Sequence, residues 1–235
     1  FHPMSRNPNN QGLSRKHISE SVNNSLKRLR TDYIDIMQCH RFDVYTPLEE
    51  TCRAFNDLII QGKILYWGVS EWTAQQIEEA VLTCEKYSLH KPVSNQPQYN
   101  IIHPYIETNG IIAVSEKYGL GQVVWSPLGQ GVLTGKYSGG NLPKDSRASN
   151  EKMNYFLKDR IDREIISKVD RLKVISDDTG ITLAQLAIAW CLRNKNVTSA
   201  IIGASRKKQV IENCGAVEIE FTEELDNKIN EIFYS

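Results

Sequence analysis

The strongest constraint on this sequence is a recurrence. Five short runs rich in β-branched and aromatic residues punctuate it: Ile34–Gln38, Leu65–Ser70, Pro92–Gln96, Gln122–Ser126 and Ser199–Gly203. The first four begin at positions 34, 65, 92 and 122, a spacing of about 30 residues, which is the length of a strand plus its crossover helix. Each run is apolar enough for a strand covered on both faces. Helical patterns with start signals lie between them. Thr46-Pro47-Leu48-Glu49 offers an N-cap, a proline at the first helical position and a capping-box Glu. Thr73 with Gln76, and Thr182 with Gln185, repeat the box. Ser14 precedes an apolar stripe of Ile18, Val22, Leu26 and Leu29. Gly62, Gly119 and Gly180 stand where helices should stop.

Strand, helix, strand, helix in this rhythm predicts an α/β fold of parallel βα units. An open doubly wound sheet and a closed eight-stranded TIM-type barrel both satisfy the pattern. No GxGxxG follows any strand, which favours the (β/α)8 barrel. Only five strands are visible, so the expectation is a single barrel domain over residues 1–235 that holds strands 4–8, with three strands preceding Phe1. The opening Phe1-His2-Pro3-Met4 is neither a signal peptide nor a plausible natural start. Residues 129–160, rich in Gly, Ser, Lys and Asn, break the period and read as a long loop over one end. Thr222 opens a last helix through Ile229, Ile232 and Phe233.

Composition removes several function classes. Lys plus Arg number 28 and Asp plus Glu number 28, so no basic field favours nucleic acid or an acidic membrane. No apolar run is long enough for a membrane span. The five cysteines contain no CxxC pair and fit a reduced cytoplasmic chain better than a disulfide framework or a zinc site. No pair of histidines has metal-ligand spacing.

Barrel active sites lie at the C-terminal ends of strands, so the residues after each run matter most. They are Cys39-His40-Arg41, Ser70-Glu71-Trp72, Asn95 to Asn100, Trp125 to Gly129 and Gly203 to Arg206. This set is polar, amide-rich and aromatic. A neutral imidazole at His40 serves equally as a donor to a carbonyl or as a tie to a neighbouring loop. Ser70, Asn95 and Gln96 together satisfy a carboxamide, with its acceptor and two donors; singly, each fits a loop tie. Trp125 is either a flat face for an aromatic ring or a core side chain. Gly203-Ala204-Ser205-Arg206 precedes a helix, with Ser205 as its expected N-cap. Helix N-termini receive phosphates, and Arg suits a phosphate monoester. Lys207 and Lys208 add positive potential where the helix dipole prefers acids. Lys136 and Arg147 in the long loop are further phosphate candidates or solvated charges.

At these residues the chain resembles the aldo-keto reductases, barrel enzymes that reduce carbonyls with NADPH. The likeness is closest to the branch of yeast aryl-alcohol dehydrogenase-like proteins and potassium-channel β subunits. It rests on ordered motifs: Gly12 to Ile18 with Ser25 to Leu29; Asp32-Tyr33-Ile34-Asp35-Ile36 with Gln38-Cys39-His40; Gly62-Lys63-Ile64 with Gly68-Val69-Ser70; Asn95-Gln96 with Tyr99-Asn100; Trp125 to Gly131 with Leu133 to Tyr137; and Ile202 to Ser205 with Gln209, Glu212 and Asn213. The resemblance implies that His40 orients a substrate carbonyl. It implies that Ser70 and Gln96 hold the nicotinamide carboxamide, with Asn95 also in the cofactor site, and that Trp125 stacks on its ring. Ser126, Leu128, Gly131, Lys136 and Arg147 would meet the pyrophosphate and ribose. Gly203, Ser205, Gln209, Glu212 and Asn213 would line the adenosine pocket, with Arg206 on a 2′-phosphate. The family's catalytic set is Asp, Tyr, Lys and His; the first three belong to strands expected before Phe1, so poor catalysis is expected of these residues alone. A small aldehyde or ketone is the implied substrate, and a protein partner or a homo-oligomer is compatible. Two rivals follow: a nucleotide-sensing binding module with little turnover, and a barrel without cofactor.

Overall fold

The computed structural model describes residues 8–140, 143 and 162–234. The predicted alternation is present. Strands β1 (Ile34–Cys39), β2 (Ile64–Val69), β3 (Ser94–Asn95), β4 (Gly121–Trp125) and β5 (Val197–Ile201) lie in the sheet order β1-β2-β3-β4-β5. The registered pairings of β1 with β2, β2 with β3 and β3 with β4 are parallel. Helices α1 (Arg15–Leu29), α2 (Leu48–Ile60), α3 (Ala74–Lys86), α4 (Ile111–Tyr118), α5 (Arg163–Thr179), α6 (Leu183–Leu192), α7 (Lys207–Cys214) and α8 (Glu223–Phe233) intervene or follow.

Most helix starts obey their sequence signals. The Ser14 Oγ accepts from the His17 N–H at 3.3 Å. Thr73 and Gln76 exchange bonds of 3.0 and 3.2 Å, and Thr182 and Gln185 bonds of 3.2 and 3.3 Å, so both capping boxes form. The start of α2 differs. Pro47 occupies the N-cap with no side-chain cap. The Thr46 hydroxyl donates instead to Asp43 at 2.7 Å, and Glu49 accepts from Arg53 one turn on at 2.8 Å. Helices α4 and α5 end on Gly119 and Gly180 at φ 77° and 68°, where a side chain would be strained. In α1, Ile18 and Val22 are buried but Leu29 is exposed, so the apolar stripe serves only the first half of the helix.

Two strands depart from expectation. β3 has two ladder residues instead of five, yet the Val93 and Gln96 N–H groups still donate to Trp67 and Val69 of β2 at 2.9 and 2.8 Å. The flanking Pro92 and Pro97 have no N–H to extend it. β5 begins at Val197 rather than Ser199, so Gly203 falls beyond its end. Full coverage of the strands is also not met. Ile36 is 42% exposed and Tyr66 53%, and three of the five β5 residues are exposed. β1 and β5 stand at the ends of the sheet order, so each has a pairing side without a neighbour among the described residues.

Backbone contacts separate two compact units, Phe1–Pro97 with Ile106–Val123, and Gln98–Tyr105 with Val124–Ser235. In the first, Phe55 of α2 stacks on Trp67 of β2 (centroids 4.9 Å apart, 7° between planes), and the indole N–H of Trp67 donates to the His90 carbonyl at 2.8 Å. Ile64, Val69, Ile77 and Val81 complete that core. Burial of each such side chain contributes about 1.5–3 kcal/mol. In the second, the Arg193 guanidinium lies 4.0 Å over the Trp190 ring, donates to the Tyr99 hydroxyl at 2.7 Å and pairs with Asp226 at 2.8 Å. Leu172, Leu186 and Ile229 pack as its apolar core. Among the described residues, no helix is long and apolar enough to cross a membrane, and no group of three His, Cys, Asp or Glu side chains is placed to hold a metal.

Candidate functional site

In the first unit, the candidate residues sit where β1, β2 and β3 end. His40 follows Cys39, the last residue of β1, and is exposed. Ser70 follows β2 and is only 2% exposed. Its hydroxyl donates to the Gln96 carbonyl at 2.7 Å, and the Gln96 N–H donates to the Val69 carbonyl at 2.8 Å. The ends of β2 and β3 are thereby locked together. Asn95, one residue earlier, is wholly buried and donates to the side chain of Gln122 at 2.9 Å. Its Oδ1 has no hydrogen-bond partner among the described residues.

Gln38, Gly68, Arg41 and Asp43, none of them assigned a site role from the sequence, also shape this region. Gln38 donates to the Ser94 hydroxyl at 2.9 Å, and a Cβ built on Gly68 would stand 2.3 Å from Ser94 Oγ and 2.4 Å from Gln38 Oε1. Glycine at 68 is thus the condition for that polar contact. Arg41 donates from one nitrogen, Nη1, to the His40 carbonyl at 2.5 Å and to Ser70 Oγ at 3.3 Å. Asp43 organises the loop after His40. It accepts from the Leu13 N–H and the Thr46 hydroxyl, both at 2.7 Å, and from the Tyr45 N–H at 3.0 Å. Burial alone would raise its carboxyl pKa, but the three bonds to the ionised form prevail and hold it below the ordinary carboxylate value. The signal for Asp43 was the pattern Asp-x-x-Thr before a helix, read instead as a cap at Thr46.

Glu71 follows at φ 57°, a left-handed backbone that costs a non-glycine residue roughly 1–3 kcal/mol. The second unit repeats this feature: Ser126, directly after β4, has φ 61°. Two strand ends therefore turn sharply into the loop that follows.

In the second unit, Trp125 ends β4 and is half-buried, and its carbonyl accepts from the Tyr99 N–H at 3.3 Å. The Ser126 carbonyl accepts from Asn100 at 2.9 Å, and its hydroxyl oxygen from Gln130 at 2.8 Å. Gly129, Gln130 and Gly131 are three consecutive left-handed residues, and the Leu128 carbonyl accepts from the Gly131 N–H at 2.8 Å. A Cβ on Gly131 would lie 2.5 Å from Lys136 Nζ, so the tight turn lets that ammonium sit against the backbone. No carboxylate pairs with Lys136 among the described residues. Arg147 lies outside the described residues.

The start of α7 differs from expectation by one residue: Arg206, not Ser205, occupies the N-cap. Gln209 Oε1 gathers the Ser205 N–H at 2.9 Å, the Arg206 N–H at 3.2 Å and the Ser205 hydroxyl at 3.3 Å. Gly203, Ser205, Arg206 and Gln209 are exposed, Glu212 is half-buried and Asn213 is buried. The first turn holds Lys207 and Lys208 and no acid. Positive side chains are thus added to the positive end of the helix dipole, an arrangement suited to an anion.

Parallel βα units with amide and hydroxyl groups at the strand ends, followed by a glycine turn and a basic helix start, fit one family. The profile of the Aldo/keto reductase family matches residues 4–233, and the chain belongs to that family. Its fold is the (β/α)8 barrel, of which five parallel strands and their helices are a consistent part. Among curated relatives, a rice (Oryza sativa subsp. japonica) protein named "Probable voltage-gated potassium channel subunit beta" is 45% identical over 230 residues, 97% of this chain and 70% of that protein. An Arabidopsis thaliana protein of the same name is 47% identical over 212 residues, 90% of this chain and 65% of its own length. A similarly named protein of Schizosaccharomyces pombe is 43% identical over 229 residues, covering 96% and 66% respectively. The chain thus spans about two thirds of the length of these relatives.

Proposed function

We propose that these residues are the cofactor-holding part of an NADP-dependent oxidoreductase that reduces an aldehyde or ketone to the alcohol. The observation that carries this reading is the bonded pair Ser70–Gln96 at the strand ends next to His40. Ser70 and Gln96, with Asn95 behind them, would hold the carboxamide, and the orphaned Asn95 Oδ1 fits a site rich in amide groups. Trp125 would offer its face to the ring. Ser126, Leu128, Gly131 and Lys136 would meet the pyrophosphate, and Arg147 is assigned there from the motif alone. Gly203, Ser205, Gln209, Glu212 and Asn213 would line the adenosine, with Arg206 taking the 2′-phosphate that distinguishes NADPH. When bound, the cofactor supplies a hydride; His40 would hold the carbonyl oxygen in place by a hydrogen bond. The exposed imidazole is compatible with that role. Four of five free cysteines are buried, which suits a reduced cytoplasmic setting.

The names of the relatives favour a second reading, an NADPH-binding regulatory module that docks on a partner protein and turns over little. Titration with NADPH, read as quenching of tryptophan fluorescence, tests the part shared by both. Saturable binding is expected near 1 μM to 1 mM, weakened by Trp125→Ala and by Arg206→Ala. A flat titration with the complete protein overturns both readings. An aldehyde-reduction assay then separates them: turnover of about 1 s⁻¹ or faster supports the enzyme, and binding without turnover supports the module.

A further inference from the structure

Arg41 is half-buried at the end of β1, consecutive with His40. A guanidinium carries five N–H donors, and its Nε–Nη edge matches the two oxygens of a carboxylate. Here both hydrogen bonds come from Nη1, to the His40 carbonyl and to Ser70 Oγ. Nη2 and Nε have no hydrogen-bond partner, and no carboxylate forms an ion pair with Arg41, among the described residues. Arg15, Arg53 and Arg193 are treated differently, each meeting a carboxylate. The two Nη1 bonds draw the head group back over the peptide of His40 and across to the end of β2, so it is fixed in place before any ligand arrives. A positioned, partly desolvated guanidinium with its forked edge unpaired is an anion receptor.

We infer that Arg41 is the anion-recognition residue of this site and that its carbonyl substrate carries a carboxylate beside the reacting carbon, as in a 2-oxo acid. The inference rests on the carbonyl-reductase reading and names its substrate class. Consecutive residues would then divide one small molecule, with His40 on the carbonyl oxygen and Arg41 on the carboxylate. In the reaction the carbonyl carbon gains a hydride from the reduced cofactor and its oxygen a proton drawn from water. The product is a 2-hydroxy acid, and the cofactor leaves oxidised.

The test needs no turnover. Mandelate and its neutral methyl ester share one hydroxyl-bearing carbon and differ in charge. Their binding to the full chain is measured by tryptophan fluorescence, with and without NADP⁺. The wild type should bind mandelate about tenfold more tightly than the ester, the scale of one charge-assisted hydrogen bond to a buried ion. Arg41→Gln should bring the ratio of the two affinities to near one, and Arg41→Lys should keep part of it. The ratio is taken within each variant, so changes in cofactor affinity cancel. Equal binding of acid and ester by the wild type overturns the inference, as does a preference that survives Arg41→Gln. Failure of NADP⁺ itself to bind sinks the oxidoreductase reading, while the acid-to-ester ratio in the cofactor-free chain still decides the role of Arg41.

Discussion

The two units carry their candidate residues in opposite ways. In the first, nearly every polar side chain at the strand ends is also a structural tie: Ser70 joins β3 to β2, Asp43 secures the loop after His40, and Gln38 reaches Ser94. In the second, Ser205, Arg206 and Gln209 stand exposed at the mouth of a helix and bond mainly to each other. The lesson is that substitution should separate folding from binding in the second unit, whereas in the first the two should fall together.

The largest break is expected at Gly68. Its Cβ would meet Ser94 Oγ, Gln38 Oε1 and the Ser94 carbonyl, all within 2.7 Å. Gly68→Ala should therefore cost about 3 kcal/mol or more, seen as a lower urea midpoint. Gly131→Ala, where the obstructing atom is the movable end of Lys136, should cost less, so equal losses at the two glycines would contradict the contrast. Next comes Asp43→Ala, which strips three donors of their acceptor and should cost about 2–3 kcal/mol. Asp43 also has a pH signature. Its folded pKa is depressed, so its contribution is present above the ordinary carboxylate value and is lost as pH falls through the folded value. Acid titration of stability should show this loss in the wild type and not in Asp43→Asn.

A smaller effect is expected at Ser70→Ala, about 1 kcal/mol of stability together with weaker NADPH binding. Smaller again, and of opposite sign, is Glu71→Gly: relief of the left-handed backbone should raise stability by up to about 1 kcal/mol. Finally, Arg206→Ala should leave the unfolding midpoint within about 0.5 kcal/mol of wild type while weakening NADPH binding. A destabilisation of 2 kcal/mol or more there, on the scale of a buried tie, would erase the distinction between the units.

The order of elements was legible because burial imposes period and because capping is local chemistry. Thr73–Gln76 and Thr182–Gln185 are complete within four residues, and both formed. What escaped was decided across the sheet. Gln38, Ser94 and Gly68 lie on three different strands and meet only through register. Asp43 draws a donor from Leu13, 30 residues away, so nothing near Thr46 announced that its hydroxyl would be taken. Arg41 stood among the strand-end residues with no role assigned, because only the fold decides which edge of its guanidinium stays open. The exposed residues of α7 were readable for the opposite reason: their chemistry depends on neighbours in sequence and on the helix axis.

The interleaving of the two units has a consequence for synthesis. The first unit is not complete until Val123, because Ile106–Val123 belongs to it, and the chain has by then already laid down Gln98–Tyr105 for the second. Neither unit is one uninterrupted stretch, so neither can be cut out of the gene as a single fragment. A ribosome adding about 5–20 residues per second takes roughly 6–22 s to pass from position 123 to position 235. During that interval Gln98–Tyr105 waits for a partner still being made, and slow codons after position 123 would lengthen the wait.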